Sequence, residues 1–188
     1  MEKYVGTDEA TALAAMMVRL QNVEDRLAIL QIEGAYSTAY DGVRGDQWAA
    51  LFTDDGIYQG RQLEGMGELN FVQGKRALTD FCNSNRLSCI HQLGVPEISL
   101  DGDDAFSRVN FTFRGFETGR VPMVQKTEAQ GYYDVAYRRT ANGWRIRRRF
   151  TVYFERSRVT TYGYEPSLSP FGAENPPFDD SLPYKDRR

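Results

Sequence analysis

The sequence is short of the side chains that bind transition metals. It contains one histidine, His91, and two cysteines, Cys82 and Cys89, among 188 residues. Zinc and non-haem iron sites usually need several His or Cys ligands at set spacings, so no metal site is expected. Two cysteines do not make a disulfide framework in a chain of this length, and both are predicted to be buried thiols.

An excess of positive charge and a long apolar run are missing as well. Lys and Arg number 23 against 26 Asp and Glu, a net charge of -3, which gives no reason to expect nucleic acid or an anionic membrane as a partner. No run approaches the roughly 18 apolar residues of a spanning helix, and Met1-Glu2-Lys3-Tyr4 lacks the form of a signal peptide. A cytoplasmic location is therefore expected. Phosphate-binding loops, serine elbows and metal-binding helix motifs are not found in the sequence.

The first half of the sequence has helical periodicity. An alternating three-four spacing predicts a narrow apolar seam on one helix face. The seam consists of Leu13, Met16, Leu20, Val23, Leu27 and Leu30. It is too short for a free coiled coil, so we expect it to pack on the domain body or on a second subunit. Residues 29–39 are apolar over a wider arc, which predicts burial, and Gly42 and Gly45 then end the helix.

After residue 46 the pattern changes from one long helix to short mixed elements and then to strands. A short helix at 47–52, a turn at 54–56, a brief strand at 57–59, a loop at 60–72 and a helix at 73–86 come first. Four strands are predicted next, at 88–100, 105–117, 124–139 and 144–156, joined by hairpin signals. Helices followed by an antiparallel meander predict an α+β domain with the helices on one face of a curved sheet. The predicted boundaries are 1–19 for an N-terminal helical extension, 20–160 for the domain and 161–188 for a proline-rich tail.

Two residues could form an acid-base pair. Strand alternation places His91 on the same face as Cys89 and Leu93. A lone histidine on such a face is more often a hydrogen-bonded core residue than a catalyst, and Asp41 beside Gly42 could simply serve a turn. A carboxylate next to the imidazole would, however, fix its tautomer and make it a general base.

Aromatic and cationic candidates allow the same two interpretations. Tyr36 and Tyr40 share a helix face, and Tyr58 lies in the first strand. Such residues usually belong to the core, although a buried phenol can also hold a substrate oxygen. In the segment 144–150, alternation places Arg149 on the face of Arg145 and Arg147, opposite Trp144 and Ile146. A solvated face is the common outcome, while an inward arginine would suit an oxyanion.

Taken together, the order of these motifs resembles a known family. The sequence has a long helix, Tyr36-x-x-x-Tyr40-Asp41, Trp48 to Gly56, a strand with His91, and Gly131-x-Tyr133 through Asn142-Gly143-Trp144. This order, over roughly residues 20–155, resembles the SnoaL-like branch of the nuclear transport factor 2-like superfamily. The resemblance implies a cone-shaped, curved antiparallel sheet wrapped around the N-terminal helices, the cystatin-like α+β barrel. Members of this fold often form dimers or trimers, so a homo-oligomer is also implied.

Within that superfamily the sequence is similar to scytalone dehydratase, bile-acid 7α-dehydratase and hexachlorocyclohexane dehydrochlorinase. That similarity implies a cofactor-independent lyase acting on a small hydrophobic cyclic substrate. By the same similarity, Asp41 orients His91 and His91 removes a proton. Substrate-binding roles are implied for Tyr36, Tyr40, Tyr58 and Arg149, with Asn110 as a further donor candidate.

Other functions are compatible with the same residues. An isomerase or a cyclase could use the same proton abstraction. Small subunits of ring-hydroxylating dioxygenases share the fold and size and are structural. A ligand-binding scaffold is the third alternative, which a separation of Asp41 and His91 beyond hydrogen-bonding distance would favour.

Overall fold

The structure is a computed structural model, and it describes residues 5–61, 71–118 and 123–162. These residues form three helices and seven strands. The helices are α1 (Val5–Asp41), α2 (Gly45–Ala50) and α3 (Lys75–Asn83). The strands are β1 (Phe52–Arg61), β2 (Phe71–Gln73), β3 (Ser88–Leu93), β4 (Glu97–Asp101), β5 (Asp104–Thr118), β6 (Met123–Thr140) and β7 (Gly143–Tyr162).

The strands form one curved sheet in the order β2-β1-β7-β6-β5-β3, and β4 also pairs with β5. All neighbours are antiparallel except β1 and β7, which run parallel. The sheet is open, because β2 and β3 lie at opposite ends of this order. The α+β class with helices on a curved sheet is therefore confirmed.

Three local predictions were wrong in the described residues. The strand expected at 88–100 is two strands, because the register of pairing with β5 shifts by one residue between Leu93 and Glu97, and Pro96 in between has no N–H to pair. The turn expected at 54–56 lies inside β1, where the pairing with β7 shifts register between Phe52 and Ile57. This bulge needs Gly56, since a Cβ there would lie 2.7 Å from the Phe52 Cβ. The described ends of the loop expected at 60–72 belong to β1 and β2. The rest of that loop and most of the tail at 161–188 lie outside the described residues.

The concave side of the sheet packs on the second half of α1 and on α2. Fully buried side chains from all three layers meet there, among them Ile29, Tyr36, Trp48, Phe52 and Ile146. Asp25 fastens α1 at the start of this contact. Its carboxylate accepts hydrogen bonds from Arg139 Nη1 (2.7 Å), the Trp144 indole (3.0 Å) and Gln21 (3.0 Å). The helix is continuous through residues 19 and 20, where the domain boundary was expected.

The apolar seam of α1 lies on the other side of the helix. Leu13, Met16, Leu20, Val23 and Leu27 are each more than half exposed, and Leu30 is 37% exposed. The seam thus does not pack on the described part of the domain body. The second alternative from the sequence, contact with another subunit, stays open.

Candidate active site

The last residue of α1 is bound to an edge strand. Asp41 accepts a hydrogen bond from the backbone N–H of His91 through Oδ2 (2.8 Å) and lies 2.6 Å from His91 Nδ1 through Oδ1. The Cys89 thiol also donates to Oδ1, at 3.5 Å. Both side chains are shielded, with 18% of Asp41 and 7% of His91 exposed. A carboxylate at a helix C-terminus opposes the helix dipole, so these donors are what hold it in place.

The contact with Asp41 determines which nitrogen of His91 is available for chemistry. An ionised carboxylate only accepts, so Nδ1 carries the proton and Nε2 keeps its lone pair. The ring is fixed by aromatic edges and faces, with centroid distances of 4.8 Å to Phe113 and 5.3 Å to Tyr40. As predicted, His91 shares a strand face with Cys89 and Leu93. The arrangement is suited to general-base catalysis.

His91 lines a small cavity of about 120 Å³. Tyr36, Tyr40 and Tyr58, all predicted from the sequence, line it too, together with Tyr133 and Tyr153. Its remaining walls are Thr127 and the apolar residues Phe81, Leu87, Phe111, Phe113 and Ala129. Burial raises the pKa values of Tyr36, Tyr40 and Tyr133 far above the usual range. These phenols therefore stay protonated and can donate hydrogen bonds to a bound oxygen.

Arg149 is buried, but not in the way that strand alternation predicts. The pairing of β6 with β7 shifts register between Ala136 and Tyr137, so β7 bulges at 147–148 and Arg149 returns to the face of Ile146. Arg149 is fully buried and does not line the cavity. Its guanidinium carbon lies 3.7 Å from the Tyr36 ring centroid and 3.9 Å from that of Tyr133. Arg149 therefore packs against the rings of two tyrosines that line the cavity, without lining the cavity itself.

A carboxylate that the sequence analysis missed neutralises this arginine. Arg149 Nη1 donates to Glu33 Oε1 (2.8 Å) and Oε2 (2.9 Å). The Tyr137 hydroxyl donates to Glu33 Oε1 (2.6 Å) and contacts the Ser107 hydroxyl (2.8 Å). Burial alone would lower the pKa of Arg149, but Glu33 outweighs it and the pKa is raised. An acidic residue inside the apolar arc of 29–39 was the available signal.

Asn110 does not belong to this site, which corrects the prediction. It is exposed on β5 between buried Val109 and Phe111, so its side chain points to the outer face of the sheet. Strand alternation explains the error, because neighbours of an inward residue point outward.

The two cysteines differ in position. Cys82 is buried as predicted, whereas Cys89 is half-buried beside Asp41, and both are free thiols. Burial raises the pKa of each to about 11. They are thus protonated near neutral pH and poor nucleophiles.

Residues 5–61, 71–118 and 123–162 contain no group of three or more His, Cys, Asp or Glu side chains placed to hold a metal ion. Within the same ranges, every helix is too short or too polar for a membrane span.

Comparison with solved structures defines the fold. Solved structures with the same fold include a hexachlorocyclohexane dehydrochlorinase from Novosphingobium barchaimii, with 16% identity, a TM-score of 0.63 and coverage of 79% of this chain and 99% of that chain. A protein assigned as a scytalone dehydratase from Novosphingobium aromaticivorans has 17% identity and a TM-score of 0.61, with coverage of 77% of this chain and 94% of that chain. A protein from that organism assigned as the beta subunit of an aromatic-ring-hydroxylating dioxygenase has 22% identity and a TM-score of 0.56, with coverage of 71% of this chain and 91% of that chain. These likenesses define a nuclear transport factor 2-like fold.

The family follows from the sequence match. The model of the SnoaL-like domain matches residues 21–150, and the chain belongs to this family. An uncharacterized protein of Mycobacterium tuberculosis is 32% identical over 139 residues, which cover 71% of this chain and 88% of that protein. The resemblance inferred from the motif order is confirmed.

Proposed function

We propose that this protein is a cofactor-independent lyase that eliminates water, or a comparable leaving group, from a small cyclic substrate. The observation that supports this proposal best is the 2.6 Å contact between Asp41 and His91 Nδ1 beside a tyrosine-lined cavity. A ligand-binding scaffold would not require this contact. A structural subunit would not require it either.

In the proposed reaction, His91 Nε2 removes a proton from the carbon next to a carbonyl group. The electron pair moves into the carbonyl, and a protonated tyrosine donates a hydrogen bond to the resulting enolate oxygen. The enolate then expels the hydroxyl group from the neighbouring carbon, and the proton on Nε2 passes to it, so that water leaves. Asp41 stabilises the imidazolium between these steps.

Cavity size and polarity limit the substrate. A dry cavity of about 150 Å³ can hold a benzene ring, so a space of about 120 Å³ suits one compact ring. Besides His91, the walls offer phenols, Thr127 and apolar surface, and Arg149 is already neutralised by Glu33. We therefore propose an uncharged cyclic ketone rather than an anion. An isomerase or cyclase would use the same first step. The expected cytoplasmic location stays a prediction.

The base can be tested without knowing the natural substrate. The probe is 5-nitrobenzisoxazole, an aromatic compound whose ring opens to a coloured phenolate when a base removes its ring proton. We expect wild-type protein to accelerate this opening and His91→Ala to lose about 10² to 10⁴ of that rate. Asp41→Asn should lower the rate as well, since the amide can no longer hold the imidazole as a charged partner.

Asn110→Ala is the matched control, because Asn110 lies on the outer face of the same sheet. Its rate should equal that of wild type. If His91→Ala and Asp41→Asn both keep the full rate, the general-base proposal is wrong. If the ring-opening assay shows that His91 acts as a base, the next step is to assay a panel of cyclic β-hydroxy ketones and their double-bond isomers. Loss of water from these compounds would indicate a lyase, and movement of the double bond would indicate an isomerase.

A further inference from the structure

The exposed seam on α1 follows a heptad register over its whole length. With Leu13, Leu20 and Leu27 at the first position of the heptad, Met16, Val23 and Leu30 take the fourth. The next residues in this register are polar or small on either side: Glu9 before the seam, and Gly34 and Ser37 after it. The apolar stripe is therefore a bounded surface of about two and a half heptads.

The same helix uses its opposite side to bind its own domain. Asp25 and Ile32 occupy the position farthest from the seam, Ile29 lies beside them, and all three are buried. The described part of the domain thus lies behind the helix and leaves the seam facing outward. A partner can approach the seam without displacing any of these contacts.

Charges beside the seam indicate what the partner is. In a parallel coiled coil, the seventh residue of one heptad faces the fifth residue of the next heptad in the partner helix. This rule places Arg19 of one copy against Glu24 of another. Arg26, the next residue in the same position, binds its own domain instead and donates to the Ile98 carbonyl (2.7 Å). An antiparallel pair would instead place the arginines of one copy near those of the other. The sequence flanking the seam therefore complements itself in the parallel direction.

We propose that two copies of this chain associate through α1 as a parallel, in-register helix pair along the seam from Leu13 to Leu30. The seam is too short for a free coiled coil, but its helix is already held by the domain through the buried residues Asp25, Ile29 and Ile32. Leucine and methionine side chains that are more than half exposed in one copy would be buried by the other. The two domains would then lie on opposite outer sides of the pair. This inference does not depend on the proposed reaction.

The first test is the mass of the full-length chain by light scattering, from about 1 to about 200 µM. Wild type should be a dimer. Leu20→Glu puts two carboxylates into the seam and removes two buried leucines, so the dissociation constant should rise at least about 100-fold. Val18→Glu is the matched control, because Val18 is also exposed on α1 but lies off the seam. It should leave the dimer intact.

The second test addresses direction. Val23→Cys should give a covalent dimer on oxidation, because fourth-position residues meet in a parallel pair, whereas Val18→Cys should not. Arg19→Glu and Glu24→Arg should each weaken the dimer, and the double variant should recover it. Circular dichroism spectra equal to wild type would show that each variant is folded.

Three results would overturn the proposal. These are a wild-type monomer throughout the concentration range, a complex that Leu20→Glu leaves unchanged, and a complex of more than two copies. A monomer in which the seam crosslinks to the segment 163–188 would identify that tail as the occupant instead.

Discussion

At the scale of single residues, the pair of Glu33 and Arg149 is the most demanding feature of the core. Arg149 has no exposed surface, and Nε and Nη2 have no hydrogen-bond partner in the described residues. Glu33 and the faces of two tyrosine rings are what compensate the buried charge. Removing one partner of a buried pair commonly costs more than replacing both.

We therefore expect Arg149→Met to lower the free energy of unfolding by about 3–5 kcal/mol, because it leaves the Glu33 carboxylate buried without its cation. Urea unfolding followed by circular dichroism measures this change. Arg147→Met, two positions earlier on β7 and exposed, is the control and should stay within about 0.5 kcal/mol of wild type. The double variant Glu33→Leu with Arg149→Met should lose less than Arg149→Met alone. A larger loss in the double variant would contradict this account of the pair.

Residue types allowed part of the site to be predicted. One histidine and strand alternation were enough to place His91 inward, and the helix spacing was enough to group Tyr36 with Tyr40. Arg149 was assigned to the wrong face because the bulge at 147–148 breaks alternation, and no local pattern marks it. Glu33 was missed because its partner lies 116 residues away.

At the scale of elements, β6 and β7 approach closely at Gly131. A Cβ at this position would lie 1.9 Å from the Val152 carbonyl oxygen, where pairing also shifts register. The neighbouring atom is backbone and cannot turn away as a side chain would. Glycine is therefore required by contact with the next strand rather than by an unusual φ.

We expect Gly131→Ala to lower the free energy of unfolding by at least about 2 kcal/mol, measured by thermal or urea unfolding. Gly60 in β1 supplies the comparison, because the nearest atom to its added Cβ is a Tyr153 ring carbon at 3.8 Å. Gly60→Ala should be neutral or stabilise by up to about 1 kcal/mol. Equal losses in both variants would mean that close approach is not what requires Gly131.

Element types were easier to predict than their pairing. Helical spacing located α1 and α3, and the hairpin signals at 101–104 and 141–143 located the ends of β4 to β7. The parallel pairing of β1 with β7 joins segments about 90 residues apart in sequence, and alternation within each segment contains no information about that neighbour.

At the scale of the whole molecule, Asp25 fastens α1 to the hairpin of β6 and β7, and this contact should make stability depend on acid. The Arg139 guanidinium, helped by Trp144 and Gln21, lowers the pKa of Asp25 from 3.8 to about 2. A lowered pKa in the folded state stabilises the fold above pH 3.8, and that contribution disappears as the pH falls from 3.8 to about 2.

The shift corresponds to about 2 kcal/mol. Asp25→Asn should therefore unfold more easily than wild type at pH 7, and the difference should shrink as the pH falls toward 2. Urea unfolding across this pH range tests the expectation. Asp101→Asn, an exposed carboxylate at the end of β4, should follow the wild-type acid profile. A difference between Asp25→Asn and wild type that is constant with pH would contradict the assignment.

The bond from Asp41 to the His91 N–H also bears on solubility. β3 is an end strand of the described sheet, and His91 turns this N–H away from β5, toward the open edge. Free donors along an edge invite pairing with another chain, and a carboxylate that covers one of them blocks that pairing. Asp41→Asn keeps an acceptor there, whereas Asp41→Ala uncovers the edge. A loss of activity in the alanine variant would therefore mix failed proton transfer with aggregation, and the asparagine variant is the one that isolates the chemistry.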